Sequence, residues 1–229
     1  MGKQTLKLTG PATGLHRLDT ELLARLDAPI DVGTVVLGFD QARDPVPVQL
    51  FRNHPTQIAM VSGGYAARLL SFRAHAVGAR VQVITPHPEH WNRLTEGGPT
   101  GQTRVSPTEL PLPEADLDEP VLRIEQGLPQ VSQLSLGPWQ TRVVVQSQVT
   151  ATDVSALRSF DLVLLQRVPL DVVHPLRSLF HLPDDGAAWL PRLPDNAIAV
   201  LGPGRLRLTA LGPTPQETAL FGAPDRADW

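Results

Sequence analysis

Two short stretches carry residues whose types and spacing could do chemistry. The first is Ser62-Gly63-Gly64-Tyr65, directly after the apolar run Gln57–Val61. Backbone N–H groups at a helix start, approached through glycines, form a cradle for anions. A loop that works on a nucleotide follows the pattern GxxxxGK[ST]. Its lysine holds the outer phosphates and its hydroxyl holds magnesium. Here the interval is short. Ala66 and Ala67 stand where the lysine and the Ser/Thr belong, and Arg68 lies a turn further along. Each missing charge-assisted hydrogen bond removes roughly 1.5–3 kcal/mol. The acid that completes such a site is also poorly supplied. Leu162–Val168 ends in Gln166-Arg167, and Glu125, the one acid closing an apolar run, follows Arg123 in its segment. The turn reads first as a tight strand-to-helix connection. Ser62, Gly63, Gly64 and Tyr65 are the candidate anion- or cofactor-binding residues, and no catalytic residue is assigned.

The second stretch is His87-Pro88-Glu89-His90. It places two imidazoles three residues apart near a strand end, where ligand sites of α/β folds occur. Loop histidines capping a helix are the simpler reading, because no third or fourth metal ligand is evident. A metal-dependent enzyme built on His87 and His90 is the alternative. Other chemistries fare worse. GxSxG is missing, so Ser62 is no hydrolase nucleophile. GxGxxG is missing too, and Arg80–Thr85 does not end in an acid for a ribose. Asp184-Asp185 sits at a helix start, where acids belong in any case.

Composition narrows the field further. The 229 residues contain no cysteine, which excludes disulfides, thiolate metal sites and a thiol nucleophile. Of the 20 basic residues only Lys3 and Lys7 are lysines, so the body of the chain has none for phosphate binding or Schiff-base chemistry. A net charge of −3 argues against nucleic acid as a partner. No apolar run approaches the roughly 20 residues of a spanning helix, and the start lacks a signal-peptide core. A cytoplasmic protein with no metal or cofactor and no direct membrane insertion is expected.

The elements that must position these residues follow from hydrophobic periodicity. Residues 1–14 read as a tail and 15–27 as a short amphipathic helix. Thr34–Phe39 and Val46–Phe51 read as a hairpin about Asp40. Gln57–Val61, the glycine turn, the helix Tyr65–Val77 and Arg80–Thr85 form a βαβ unit. A short helix is predicted around Glu89–Thr95. Residues 96–120, rich in Gly, Pro, Thr and acids, are expected to be the most exposed or mobile stretch. Strands are predicted at Val121–Glu125, Thr141–Val149 and Leu162–Val168. Helices are predicted at Asp153–Arg158, at Asp171–Phe180 with Asp171 as cap, and around Asp184–Leu190. Ala197–Leu201 and Arg205–Leu211 close a hairpin about Gly202-Pro203-Gly204, and 213–229 reads as a proline-rich tail. The expected fold is a single α/β domain over 15–212. It has three layers, a mostly parallel sheet, and antiparallel hairpins at its start and end. Trp139, after Gly137-Pro138, is a candidate interaction residue.

The order VLGFD-x-x-x-x-PVPVQLF, then PTQIAMVSGG and a helix, resembles the start of an FtsK/EccC-type P-loop ATPase domain. The later order, through Val143–Val149, Phe160–Arg167, helix 171–180 and the segment ending Ala187-Ala188-Trp189-Leu190, is similar to the end of such domains. LFRNHPTQIAMVSGGYAARLLSFRAHAVGARV, GPWQTRVVVQSQVT and FDLVLLQRVP resemble actinobacterial, EccE-like proteins associated with type VII secretion. The resemblance implies a degenerate P-loop NTPase-like scaffold and a pseudo-ATPase. It implies a structural or regulatory role through protein partners of a secretion apparatus, an active FtsK/EccC-type ATPase among them. The expected place is peripheral to a membrane secretion complex. A nucleotide- or anion-binding module without hydrolysis is the other reading of the same turn.

Overall fold

The apolar runs take places in one sheet. The computed structural model describes residues 32–127, 134–202 and 205–224. The tail read over 1–14 and the helix read over 15–27 lie outside the described residues. Among those described, the strands are β1 (Thr34–Phe39), β2 (Pro45–Gln49), β3 (Thr56–Val61), β4 (Arg80–Ile84), β5 (Thr103–Ser106), β6 (Val121–Gln126), β7 (Gln140–Gln146), β8 (Leu162–Leu165), β9 (Ala197–Gly202) and β10 (Arg205–Ala210). Their order in the sheet is β2-β1-β10-β9-β8-β3-β7-β6-β4-β5. The strands from β8 to β5 are mutually parallel. The other four extend the sheet antiparallel.

The two hairpins, from opposite ends of the sequence, lie side by side. Asp40 shapes the first, its Oδ1 accepting from the N–H groups of Ala42 (2.9 Å) and Asp44 (3.0 Å). Gly38 allows the second to join. A Cβ there would stand 2.0 Å from the Ala210 carbonyl oxygen, so only glycine lets β1 and β10 approach.

The helices are α1 (Gly64–His75), α2 (Asn92–Gly97), α3 (Leu170–Phe180), α4 (Asp184–Ala187) and α5 (Pro215–Phe221). One face of the sheet packs Ile58, Met60, Val143 and Leu164 against Leu69 and Leu70 of α1. The other packs Ala59, Val61, Val163 and Leu165 against Val172 and Leu176 of α3. Asp171 lies in the first turn of α3 rather than at its cap. The N-cap is Pro169, so Asp171 acts only through its charge near the helix N-terminus.

Beyond β3 the second face is covered differently. Among the described residues no helix lies over β7, β6 and β4 there; the extended segment 107–120 does. Side chains alternate along a strand, so Gln82, Arg123 and Gln140 all project to this side. They bind the segment by its carbonyls: Gln82 Nε2 to Pro111 (2.9 Å), Arg123 to Leu110 (3.0 Å) and Gln140 Nε2 to Pro113 (2.8 Å). Arg80 donates to the carbonyl of Glu114. Much of the stretch expected to be exposed is so, and its part 107–120 is also held to the sheet as a strap. Its prolines remove N–H donors and leave carbonyls that the sheet's polar side chains satisfy.

Residues 213–221, read as part of a proline-rich tail, include α5. The signal is a capping box. Thr214 Oγ1 accepts from the Glu217 N–H (3.2 Å), and Glu217 Oε2 accepts from the Thr214 N–H (2.7 Å). Glu217 is buried and takes a two-pronged bond from Arg73, at 2.7 and 2.9 Å. The same guanidinium donates to the carbonyls of Val36 and Leu37 at 3.0 and 2.6 Å. Burial alone would raise the Glu217 carboxyl. The bonds from Arg73 and the Thr214 N–H, with the guanidinium charge, together hold it below the usual carboxylate range. A depressed carboxyl pKa contributes stability that is full above the unfolded value, about 4.3 for glutamate, and is lost as pH falls through the folded one. Thermal unfolding from neutral to acid pH is expected to show that loss. Glu217→Gln should lie below the wild type at neutral pH and flatten this part of the acid profile.

Candidate functional site

Strand β3 ends at Val61 and α1 begins at Gly64, so Ser62 and Gly63 alone connect them. The turn is closed by its neighbours. The Ser62 N–H donates to the Gln146 carbonyl of β7 (3.0 Å), which continues the sheet ladder past the strand. The Gly63 N–H donates to Gln166 Oε1 at 2.8 Å. Gln166 is fixed at its other end, where Nε2 donates to the Asp195 carbonyl at 2.9 Å. Just before the N-terminus of α1, the N–H of its N-cap Gly63 is therefore taken by a neutral amide oxygen.

Ser62, Gly63, Gly64 and Tyr65 are together as the sequence places them, and all four are buried. The Ser62 hydroxyl turns back to the Gly63 carbonyl (3.1 Å). Tyr65 points into the core. Burial first, and then the charge of Glu217, push its phenol above the ordinary range, against the opposing charges of Arg73 and Arg68. Ala66 and Ala67 are fully buried against the sheet. Replacing Gln166 by leucine removes the acceptor of a buried N–H, which costs about 1–3 kcal/mol. Chemical denaturation of Gln166→Leu is expected to show a loss in that range.

The acid of β6 is engaged as well. Glu125, 2% exposed, accepts from the Arg123 Nε–H at 2.8 Å, and Arg123 is fully buried. Arg123 also reaches Gln82 (3.2 Å) and the Glu109 carboxylate of the strap. Nothing in the spacing of VLRIEQ announced this pair beyond the i, i+2 rule that sets Arg123 and Glu125 on one face.

His87 caps a short 3-10 turn, Pro88–Trp91, and His90 lies within it. Their rings stack with centroids 5.4 Å apart and 21° between planes. Glu89 lies between them at the surface, 3.4 Å from His87 and 4.0 Å from His90. Its carboxyl is held below the usual range, first by its own backbone N–H and then, against desolvation, by the two imidazoles. Both histidines line a cavity of about 430 Å³ at the carboxyl ends of β4, β6 and β7, with Thr85, Gln126 and Ser147. Among the described residues no three His, Asp or Glu side chains are placed to hold a metal ion. Asp184 and Asp185 are exposed at the start of α4, where Asp184 pairs with Arg177.

Trp139 is half-buried and packs against the core. It takes a left-handed backbone (φ 59°), which a bulky residue seldom adopts without support. Support comes from both sides. Its N–H donates to the Arg52 carbonyl (2.6 Å), and its carbonyl accepts from the Val121 N–H (3.0 Å). Trp91 is fully buried, whereas Trp189 is 53% exposed.

Among the described residues no helix is long and apolar enough to cross a membrane. No protein-family model matches the chain, and no curated protein matches its sequence. Among solved structures the chain is similar to VirB4 of Thermoanaerobacter pseudethanolicus, with a TM-score of 0.54 and 10% identity over 82% of this chain and 99% of that one. The cytoplasmic domain of the Thermomonospora curvata type VII secretion ATPase EccC gives 0.47, at 11% identity over 87% of this chain and 32% of that one. EccC ATPases 2 and 3, in complex with a signal sequence peptide, give 0.49, at 13% identity over 83% of this chain and 43% of that one. The VirB4 likeness, at 10% identity, speaks to the fold alone; with the mostly parallel sheet and its antiparallel edge, it is consistent with a P-loop NTPase-like α/β fold.

Proposed function

We propose that this chain is a non-hydrolysing structural or regulatory component of a type VII secretion apparatus, built on a P-loop-type scaffold. The observation that carries the reading is the bond from the Gly63 N–H to Gln166 Oε1 (2.8 Å). On this reading a side chain of the chain itself takes a backbone N–H that would otherwise be offered to a phosphate. Three features support it. The connection is two residues long, Ala66 and Ala67 are sealed in the core, and Glu125 is tied to Arg123. Without a cation on the phosphates and a hydroxyl on magnesium, the transferring group has nothing to stabilise its charge. The secretion context rests on the sequence resemblance to FtsK/EccC-type and EccE-like proteins. The partner we propose is an active ATPase of that type. On this reading the exposed Leu170 and Trp189 near the α3 start are available for protein contact; Val168 and Leu190 are joined by a backbone bond of 3.3 Å.

Magnesium-dependent ATP turnover by the purified protein tests the first part. The expected rate is indistinguishable from the no-protein control. Turnover that disappears on changing Gly63 or Gly64 would defeat the reading. Affinity purification from the native host tests the second part, with recovery of a secretion ATPase as the expected result. Its absence under conditions that preserve the host's secretion complex removes the partner assignment.

A further inference from the structure

We propose that the cavity at the carboxyl ends of β4, β6 and β7 is a binding site for a small ligand held by an anionic group, a phosphate or a carboxylate. The inference starts from Trp91. Its indole is fully buried and donates to Gln126 Oε1 at 2.6 Å. An indole N–H is a donor only, so the Gln126 amide has one allowed orientation: oxygen toward Trp91, NH2 away from it. Gln126 is 4% exposed and lines the cavity. Its Nε2 meets no acceptor among the described residues, and it is not among the sealed, unpartnered polar atoms. A fixed pair of N–H donors thus opens onto a void of about 430 Å³.

The rest of the lining has matching chemistry. Ser147 contributes a hydroxyl, and His87 and His90 contribute imidazole N–H groups. None of the lining residues is acidic. Thr85 is fully buried and accepts from the His87 N–H (3.2 Å), which fixes the start of the loop. Glu89 holds the two rings from the surface and does not line the cavity. Pro86 and Val145 supply apolar wall, so the ligand carries a small organic body behind its charged group. Carboxylate and phosphate oxygens only accept, which is what this donor set lacks. The volume lies in the range of small-molecule pockets, about 300–1,000 Å³. The carboxyl edge of a parallel sheet is where such folds place ligands. The site does not involve the Gly63 turn, so it stands or falls apart from the proposed lack of hydrolysis.

Calorimetric titration of the full chain with inorganic phosphate, succinate and neutral glycerol tests it. One of the two anions is expected to bind saturably at one site, and which one identifies the headgroup; glycerol is expected to give no heat. Gln126→Glu keeps an acceptor for Trp91 but turns the donor into a carboxylate oxygen. It is expected to weaken the anion about tenfold or more, and to lower the melting temperature because it buries a charge, with a retained cooperative melt showing that the variant folds. If that variant does not fold, the surface pair His87→Ala/His90→Ala is expected to weaken binding several-fold. Saturable binding of neither anion overturns the proposal. Equal binding by glycerol, or wild-type affinity in the folded variants, overturns it too.

Discussion

Replacing Arg123 by methionine is expected to cost about 3–5 kcal/mol, the range for removing one partner of a buried ion pair. Arg123 is fully buried, and Glu125 beside it has 1% of its side chain exposed. The guanidinium joins four partners at once: Glu125, Gln82, the Leu110 carbonyl and Glu109 of the strap. Methionine fills much of the volume but satisfies none of them. Thermal unfolding should show the loss as about 2–4 °C for each kcal/mol in a chain of this size. The double change Arg123→Met/Glu125→Leu should recover much of it, because a buried pair replaced whole by apolar groups is often near neutral. Limited proteolysis adds a local readout: cleavage within 107–119 is expected to accelerate in Arg123→Met. A single variant as stable as the wild type, with an intact strap, contradicts this assignment of the anchor.

Trp91→Ala is the second large effect, at about 3–5 kcal/mol for a buried aromatic truncated to alanine. The ring is fully enclosed within the main core, and the short turn Pro88–Trp91 is attached to the body through it. Truncation leaves a cavity and takes the donor from Gln126 Oε1. Trp91→Phe should retain most of the packing and cost less. Denaturant titration of the pair separates the two contributions. An alanine variant within about 1 kcal/mol of the wild type would contradict the enclosure of Trp91.

Much of the framework was legible because apolar alternation and glycine turns are local signals. Thr34–Phe39 and Gln57–Val61 declare themselves as strands, Leu162–Val168 declares one that ends early, at Leu165, and Gly63-Gly64 followed by Tyr65–Val77 declares the crossover. What was not legible depends on partners distant in sequence. Arg123 and Gln82 look like flaws in their strands until the strap from 107–120 lies over them. Gln166 looks like a failed acid until its amide meets Gly63, 103 residues earlier. The same holds for α5. Thr214-Pro215-Gln216-Glu217 carries the capping signal, but the helix is held by Arg73, 144 residues away from Glu217. Composition suggested looseness in both, Gly, Pro, Thr and acids in 96–120 and proline in 213–229. In the strap, proline carbonyls are acceptors for buried side chains; in α5, Pro215 takes the first helical position, where a missing N–H costs nothing.

The physical claim beneath the functional reading is that the Gly63 N–H is occupied by Gln166 and closed to a phosphate. The backbone amide resonance of Gly63, followed in glycine-labelled protein as magnesium–ATP is added, tests it directly. The account predicts slow hydrogen exchange and no saturable shift at Gly63 or Gly64. A saturable shift there, with loss of the Gln166 bond, would contradict it.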